Sequence, residues 1–223
     1  MPSNPSISLQ NLPGLEELVF LGEVGTEIVE MVLDHVNVTW MTVGHDGTPG
    51  TLPNVLTMKM TGMDNLRYLT IGPSCFQRTR DINFPATLKE LEIGDDSLQK
   101  VSELVLSELY LLWSLIEGKL RKVKIGSRAF QEAKRFVLEG IYKGESSVID
   151  TNPYTLSISI DKDSFPLATE FSVFNAEVLS SLILGNNTFQ FCEVFNITNP
   201  SSIDKVIIGD NVGGTVSSFV LNG

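Results

Sequence analysis

The sequence predicts a β-rich solenoid of stacked short parallel strands with little or no helix, and three observations predict it. An apolar triplet at offsets 0, +3 and +5 recurs along the chain, most plainly in "LRKVKIGSRAF" at residues 120–130. A second apolar pair follows each triplet at +16 and +18. Adjacent full copies stand 22 to 24 residues apart where nothing interrupts them.

Each element of the repeat has a physical reading. The triplet is an extended segment whose +3 and +5 side chains share one face, because alternate residues of a strand point the same way. The glycine at +6 is expected to relieve the backbone where the chain leaves that strand, since glycine tolerates positive φ. A phenylalanine at +10 is large enough to plug a coil that has no helix to fill it. The F-x-L pair at +16 and +18 again has period two and predicts a second strand on the opposite wall. Turns such as "NLPG" at 11–14 and "TNP" at 198–200 then stop the chain, because proline cannot sit in a strand interior. One unit cannot bury its own apolar face, whereas stacked units share a continuous core.

Full copies begin at Leu15, Val38, Leu66, Leu88, Leu120, Thr155, Leu179 and Ile203. In the Leu120 copy the slots hold Val123, Ile125, Gly126, Phe130, Phe136 and Leu138. Asp161 replaces the glycine in the Thr155 copy, and the Val38 copy carries about four extra residues within "HDGTPGTLPNV" before Met58 and Met60 resume the frame. In every copy that needs no gap, both the +16 and +18 residues are apolar. Two truncated copies, near Leu112 and Gly144, fall between complete ones. Residues 1–223 thus read as a single solenoid of about eight full and two truncated repeats.

Composition narrows the function classes. A net charge of −11 opposes binding to a polyanion, which needs clustered Lys and Arg, so nucleic acid is not an expected partner. The longest apolar stretch, "LVLSELYLLWSLI" at 104–116, contains Glu108 and is shorter than the roughly 20 residues of a membrane span. The opening "MPSNPSISLQNLPG" has neither a basic nor an apolar leader segment. The protein is therefore expected in the cytoplasm if the chain is complete, and at the cell surface or secreted if it is an excerpt. His35 and His45 are the only histidines and no HExxH occurs, so neither a metal nor a cofactor is expected. No nucleophile elbow and no phosphate loop is present, and "GHDGTPG" at 44–50 reads as the insertion loop of the Val38 copy. Cys75 and Cys192 are expected as separate buried thiols, about five turns apart and hence roughly 24 Å, too far for a disulfide.

The segments LEELVF, LRYLTI, LKELEI, LRKVKI, LSSLIL and IDKVII resemble the LxxLxL strand of leucine-rich repeats. The elements "PSCF", "SRAF", "KDSF" and "NNTF" more narrowly resemble the "AF" step of BspA-like leucine-rich repeats, common in surface proteins of bacteria and protists. The resemblance spans nearly the whole chain and implies binding or adhesion, with no catalytic residues to carry over. Two departures, glycine in place of the asparagine ladder and an F-x-L strand in place of a convex helix, favour a flatter β-rich coil over a horseshoe.

Two functions fit this pattern. The first is a non-catalytic scaffold that binds a protein or cell-surface ligand through the outward +1, +2 and +4 residues of the LxxLxL strands. After Glu16 and Glu17, that ladder runs Trp40; Arg67, Tyr68; Lys89, Glu90, Glu92; Trp113; Arg121, Lys122, Lys124, and Trp, Tyr and Arg are the types that dominate interface energetics. The alternative is a β-helix enzyme acting on polysaccharide, which requires acid and base groups converging in a cleft, for example Glu90 or Glu92 beside Arg121. Both ends lack polar caps: Ile7 and Leu9 occupy +16 and +18 of a missing unit, and "SSFVLNG" ends on an apolar strand. This predicts either an excerpt of a longer array or edge-to-edge self-association.

Overall fold

The computed structural model describes residues 5–22, 24–45, 50–106, 120–139, 155–175, 177–200 and 203–222. In chain order the strands are β1 (Ser6–Leu12), β2 (Glu17–Phe20), β3 (Glu30–Val36), β4 (Trp40–Val43), β5 (Thr57–Thr61), β6 (Tyr68–Ile71), β7 (Asp81–Ile82), β8 (Glu90–Ile93) and β9 (Glu103–Leu106). They continue as β10 (Lys122–Ile125), β11 (Arg135–Leu138), β12 (Leu156–Ile160), β13 (Glu170–Val173), β14 (Leu179–Leu184), β15 (Val194–Thr198), β16 (Lys205–Ile208) and β17 (Ser218–Asn222). Among the described residues there is no helix, and none is long and apolar enough to cross a membrane.

The molecule is a β-solenoid. The triplet strands form one unbroken eight-stranded parallel sheet, β2 to β16, one strand for each full repeat. The F-x-L strands form the opposite wall, which is divided into a four-stranded sheet (β1, β3, β5, β7) and a five-stranded one (β9 to β17). The division falls where β7 is two residues long and Pro85 follows. There the side chain of Asn83 completes the ladder, its Nδ2 donating to the Met60 carbonyl at 2.6 Å and its Oδ1 accepting from the Met60 amide at 3.0 Å.

The predicted frame is met through the interior copies, whereas in the last copy Val206, Ile208 and Leu221 are exposed. Val123 pairs with Leu91 and Ile158, and Ile125 with Ile93 and Ile160, all buried. In the Val38 copy, Leu52 fills the plug slot four residues late and is fully buried. The Thr155 copy departs slightly: Thr155 is exposed and Leu156 takes its core position, through an irregular register against β14. Both truncated copies lie outside the described residues. Glu90 on β8 pairs directly with Lys122 on β10, which pairs with Ser157 on β12, so neither copy adds a rung to this wall.

The core is filled by two interlocked aromatic columns. Phe130, Phe165 and Phe189 at +10 stack at 4.7 and 5.0 Å between centroids, while Phe136, Phe171 and Phe195 from the opposite wall stack at 5.0 and 4.5 Å. The columns meet edge-to-face, as at Phe136–Phe165 (5.6 Å, 89°), the geometry aromatic quadrupoles prefer. Towards the N terminus Met31 and Met58 fill the +16 slots that hold rings in the later copies.

Two backbone findings correct the reading of the corner after the first strand. The glycines at +6 are not needed there for positive φ: of this column only Gly44 (φ 74°) has one, whereas Gly72, Gly94, Gly126, Gly185 and Gly209 do not. Their function is close stacking, since a Cβ on Gly94 would stand 2.6 Å from the Gly72 carbonyl carbon and 2.6 Å from the Pro73 nitrogen. Positive φ falls instead at +10 in all eight copies, from 51° at Phe76 to 76° at Gly25, and at +8 in Ser74, Asp96, Arg128, Asp163, Asn187 and Asn211. The strand amides donate to the preceding rung, but the inverted residue at +8 donates forward, as from Asp96 to the Ser127 carbonyl at 2.9 Å. In the Leu88 and Thr155 copies a buried hydroxyl at +9 satisfies the groups that the inversion in the preceding rung leaves unpaired. Ser164 Oγ donates to the Gly126 carbonyl at 2.7 Å and accepts from the Ala129 amide at 3.2 Å, and Ser97 does the same to Gly72 and Cys75.

Cys75 and Cys192 are buried and free. They sit four rungs apart rather than about five, because the truncated copies add none, so roughly 19 Å of stack separates the two rungs. Burial pushes both thiols above their ordinary pKa, and a thiol kept protonated is a poor nucleophile. Iodoacetamide at pH 8 is expected to modify neither in the native protein and both in concentrated urea. Rapid native labelling of either would contradict this packing.

Candidate partner-binding face

The outward face of the eight-stranded wall carries the predicted ladder. Because alternate residues point outward, register places Glu17, Trp40, Tyr68, Glu90, Lys122, Ser157, Ser181 and Lys205 in one column. Val19, Thr42, Thr70, Glu92, Lys124 and Ser159 form the column beside it. Nine of the ten predicted residues therefore fall on or immediately before four consecutive strands, β4 to β10, across about 14 Å of sheet. The tenth, Trp113, lies outside the described residues.

Trp40 and Tyr68 are neighbours in register and their rings stack, with centroids 5.6 Å apart and planes inclined by 6°. Trp40 is nonetheless 41% exposed. Two large rings on adjacent rungs thus stand on the surface and order one another, which reduces the entropy a partner's contact would have to remove. Arg67 folds back: its Nη1 donates to the carbonyls of Asp64 (2.8 Å) and Leu66 (3.4 Å) in its own turn. Lys89 is half-buried, whereas Arg121 and Lys124 are exposed.

The acidic pair is engaged across the rungs. Lys122 Nζ bonds Glu92 and lies 3.9 Å from Glu90 Oε2. The hydrogen bond to Glu92, the largest cause, holds the Lys122 ammonium above its ordinary pKa. Both glutamates are about two-thirds removed from water, with side-chain exposures of 38% and 32%, and both stand on the open sheet. This is cross-strand charge pairing on a solvated surface.

The opposite wall holds a charge ladder that the sequence reading missed. Arg135 Nε bonds Glu170 Oε2 at 2.7 Å, and its Nη1 reaches Glu103 Oε2 at 3.4 Å, bridging three rungs. Burial alone would raise the Glu170 pKa, but the hydrogen bonds from Arg135 and Ser172 outweigh it and hold the carboxyl below its ordinary range. All three residues stand at offset +15, so the same frame contained the signal.

Near the start of the first wall a shallow groove runs along the turns that precede β2, β4 and β6, and its lining includes Pro13, Glu16, Asn37, Thr39 and Asn65. Its floor is fixed by the Thr39 amide donating to the Glu16 carbonyl at 2.8 Å and by Asn37 Nδ2 donating to the Pro13 carbonyl at 2.8 Å. Asn65 Nδ2 in turn donates to Asn37 Oδ1, a short side-chain amide ladder across the turns. The groove adjoins Trp40 through Thr39. Comparison of the chain with known protein families, with curated proteins and with solved structures returns no match.

Proposed function

We propose that this protein is a non-catalytic binding scaffold of the BspA-like leucine-rich-repeat type, which engages a protein partner or cell-surface ligand through the outward face of its eight-stranded wall. The observation that carries the reading is the exposed Trp40 stacked on the half-buried Tyr68, set on a continuous parallel sheet. Ordered aromatic side chains at a surface supply large contact area at small entropic cost. The LxxLxL strands and the AF step support the kinship, and the open setting of Glu90 and Glu92 favours binding over hydrolysis, which calls for carboxyls converging on a bound sugar.

The test is affinity capture with the tagged chain beside a Trp40→Ala, Tyr68→Ala, Arg121→Ala variant whose circular dichroism and unfolding midpoint match the parent. A partner retained at least tenfold more by the parent than by the variant is the expected result. Equal retention by both would remove this face from the binding site.

A further inference from the structure

Building on the binding role proposed above, we infer that the aromatic end of this face is an arginine-binding site, so that the partner presents a basic, arginine-bearing segment to it. Tyr68 covers one face of the Trp40 ring, and the other face looks toward the neighbouring rung, where Glu17 is the register partner of Trp40. A cation lowered onto that open face meets the negative region of the indole quadrupole and the Glu17 carboxylate together. Glu16, one residue earlier, lines the adjoining groove. Both glutamates are exposed, and neither forms an ion pair within the described residues. By contrast, the acidic pair two rungs beyond Trp40 is already matched by Lys122.

The geometry selects the guanidinium over other groups. It is planar, stacks flat on an aromatic face and forks onto a carboxylate, whereas an ammonium does neither. A neutral sugar brings no positive charge to the Glu16 and Glu17 carboxylates beside the ring. The chain's net charge of −11 steers cationic segments to the surface in general. Trp40, with Glu16 and Glu17, defines where one of them is held.

The test uses the full chain and hexa-arginine as the probe. Since the sequence holds two tryptophans, a Trp113→Phe background makes indole fluorescence report on Trp40, and calorimetry reads the variants. The expected result is saturable quenching by hexa-arginine, weaker binding of hexalysine, and a Kd raised at least tenfold by Trp40→Leu and by the pair Glu16→Gln, Glu17→Gln. Equal affinity in parent and variants would mean diffuse attraction to an acidic surface and would overturn the inference. An absence of binding would overturn it, as would an indole shift produced by neutral oligosaccharides and not by hexa-arginine. If the capture experiment assigns a partner to this face while hexa-arginine fails, the binding face stands and its cation preference is wrong. If capture is unaffected by the triple substitution, the face itself is wrong.

Discussion

Replacing Phe165 with alanine is expected to destabilise the protein by about 3–5 kcal/mol, the range for deleting a fully buried phenylalanine. Phe165 is completely buried in the middle of the +10 column, stacked on Phe130 and Phe189 and edge-on to Phe136. Its removal interrupts the +10 column and takes an edge contact from the opposite one. Its backbone has φ 53°, a conformation unfavourable for any side chain, so phenylalanine and alanine share that cost and the difference reports the ring. Leu52 and Leu98 occupy the same slot elsewhere, so Phe165→Leu is expected to cost only about 1.5 kcal/mol. Urea unfolding midpoints at unchanged slope measure both. An alanine variant within about 1 kcal/mol of the parent would show that the column does not hold the stack together.

Gly94→Ala is expected to cost about 3 kcal/mol, the upper end of overpacking, although it adds one methyl group. The new Cβ would stand 2.6 Å from backbone atoms of the rung below. Backbone already bonded into the ladder on both sides cannot yield as a flexible side chain can: Gly94 itself donates to the Ile71 carbonyl at 2.6 Å. The control is Gly14→Ala in the turn before β2, where a Cβ meets nothing within 4 Å and the expected change is within about 0.5 kcal/mol. Parallel thermal unfolding of the two variants checks the contrast. Equal midpoints would deny that rung spacing is what requires glycine at this corner.

Much of this architecture is legible in the residues. The +3 and +5 and the +16 and +18 positions read directly as two walls, because a strand's side-chain alternation is local and periodic. The four-residue insertion in the Val38 copy was readable for the same reason, and Leu52 sits where the shifted frame puts it. The role of glycine was not readable, since the collision it avoids is with another rung and no single repeat contains it. Positive φ at +10 was hidden more deeply, because bulky residues are poor candidates for that conformation. The burial of the ring in the shared core holds Phe76, Phe130, Phe165 and Phe189 there. At +8 the Asp and Asn residues were a readable sign, being the types that tolerate the left-handed region.

The candidate face followed the same division. Offset arithmetic placed Trp40 and Tyr68 in one column, but their stacking and the folding back of Arg67 onto its own turn depend on rotamers that spacing does not specify. The direct pairing of β8 with β10 and of β10 with β12 depends on where the chain between them goes, and a degenerate repeat pattern does not determine that.

That pairing makes the face one unbroken ladder of eight rungs, and a distance measurement tests it most directly. Glu17→Cys and Lys205→Cys place spin labels in the same outward column on β2 and β16, and the buried Cys75 and Cys192 remain unlabelled. Seven steps of stacked strand predict a mean electron–electron separation of about 34 Å. A separation near 43 Å, the value for ten rungs, would mean that the two truncated copies stand within the wall and would contradict the account.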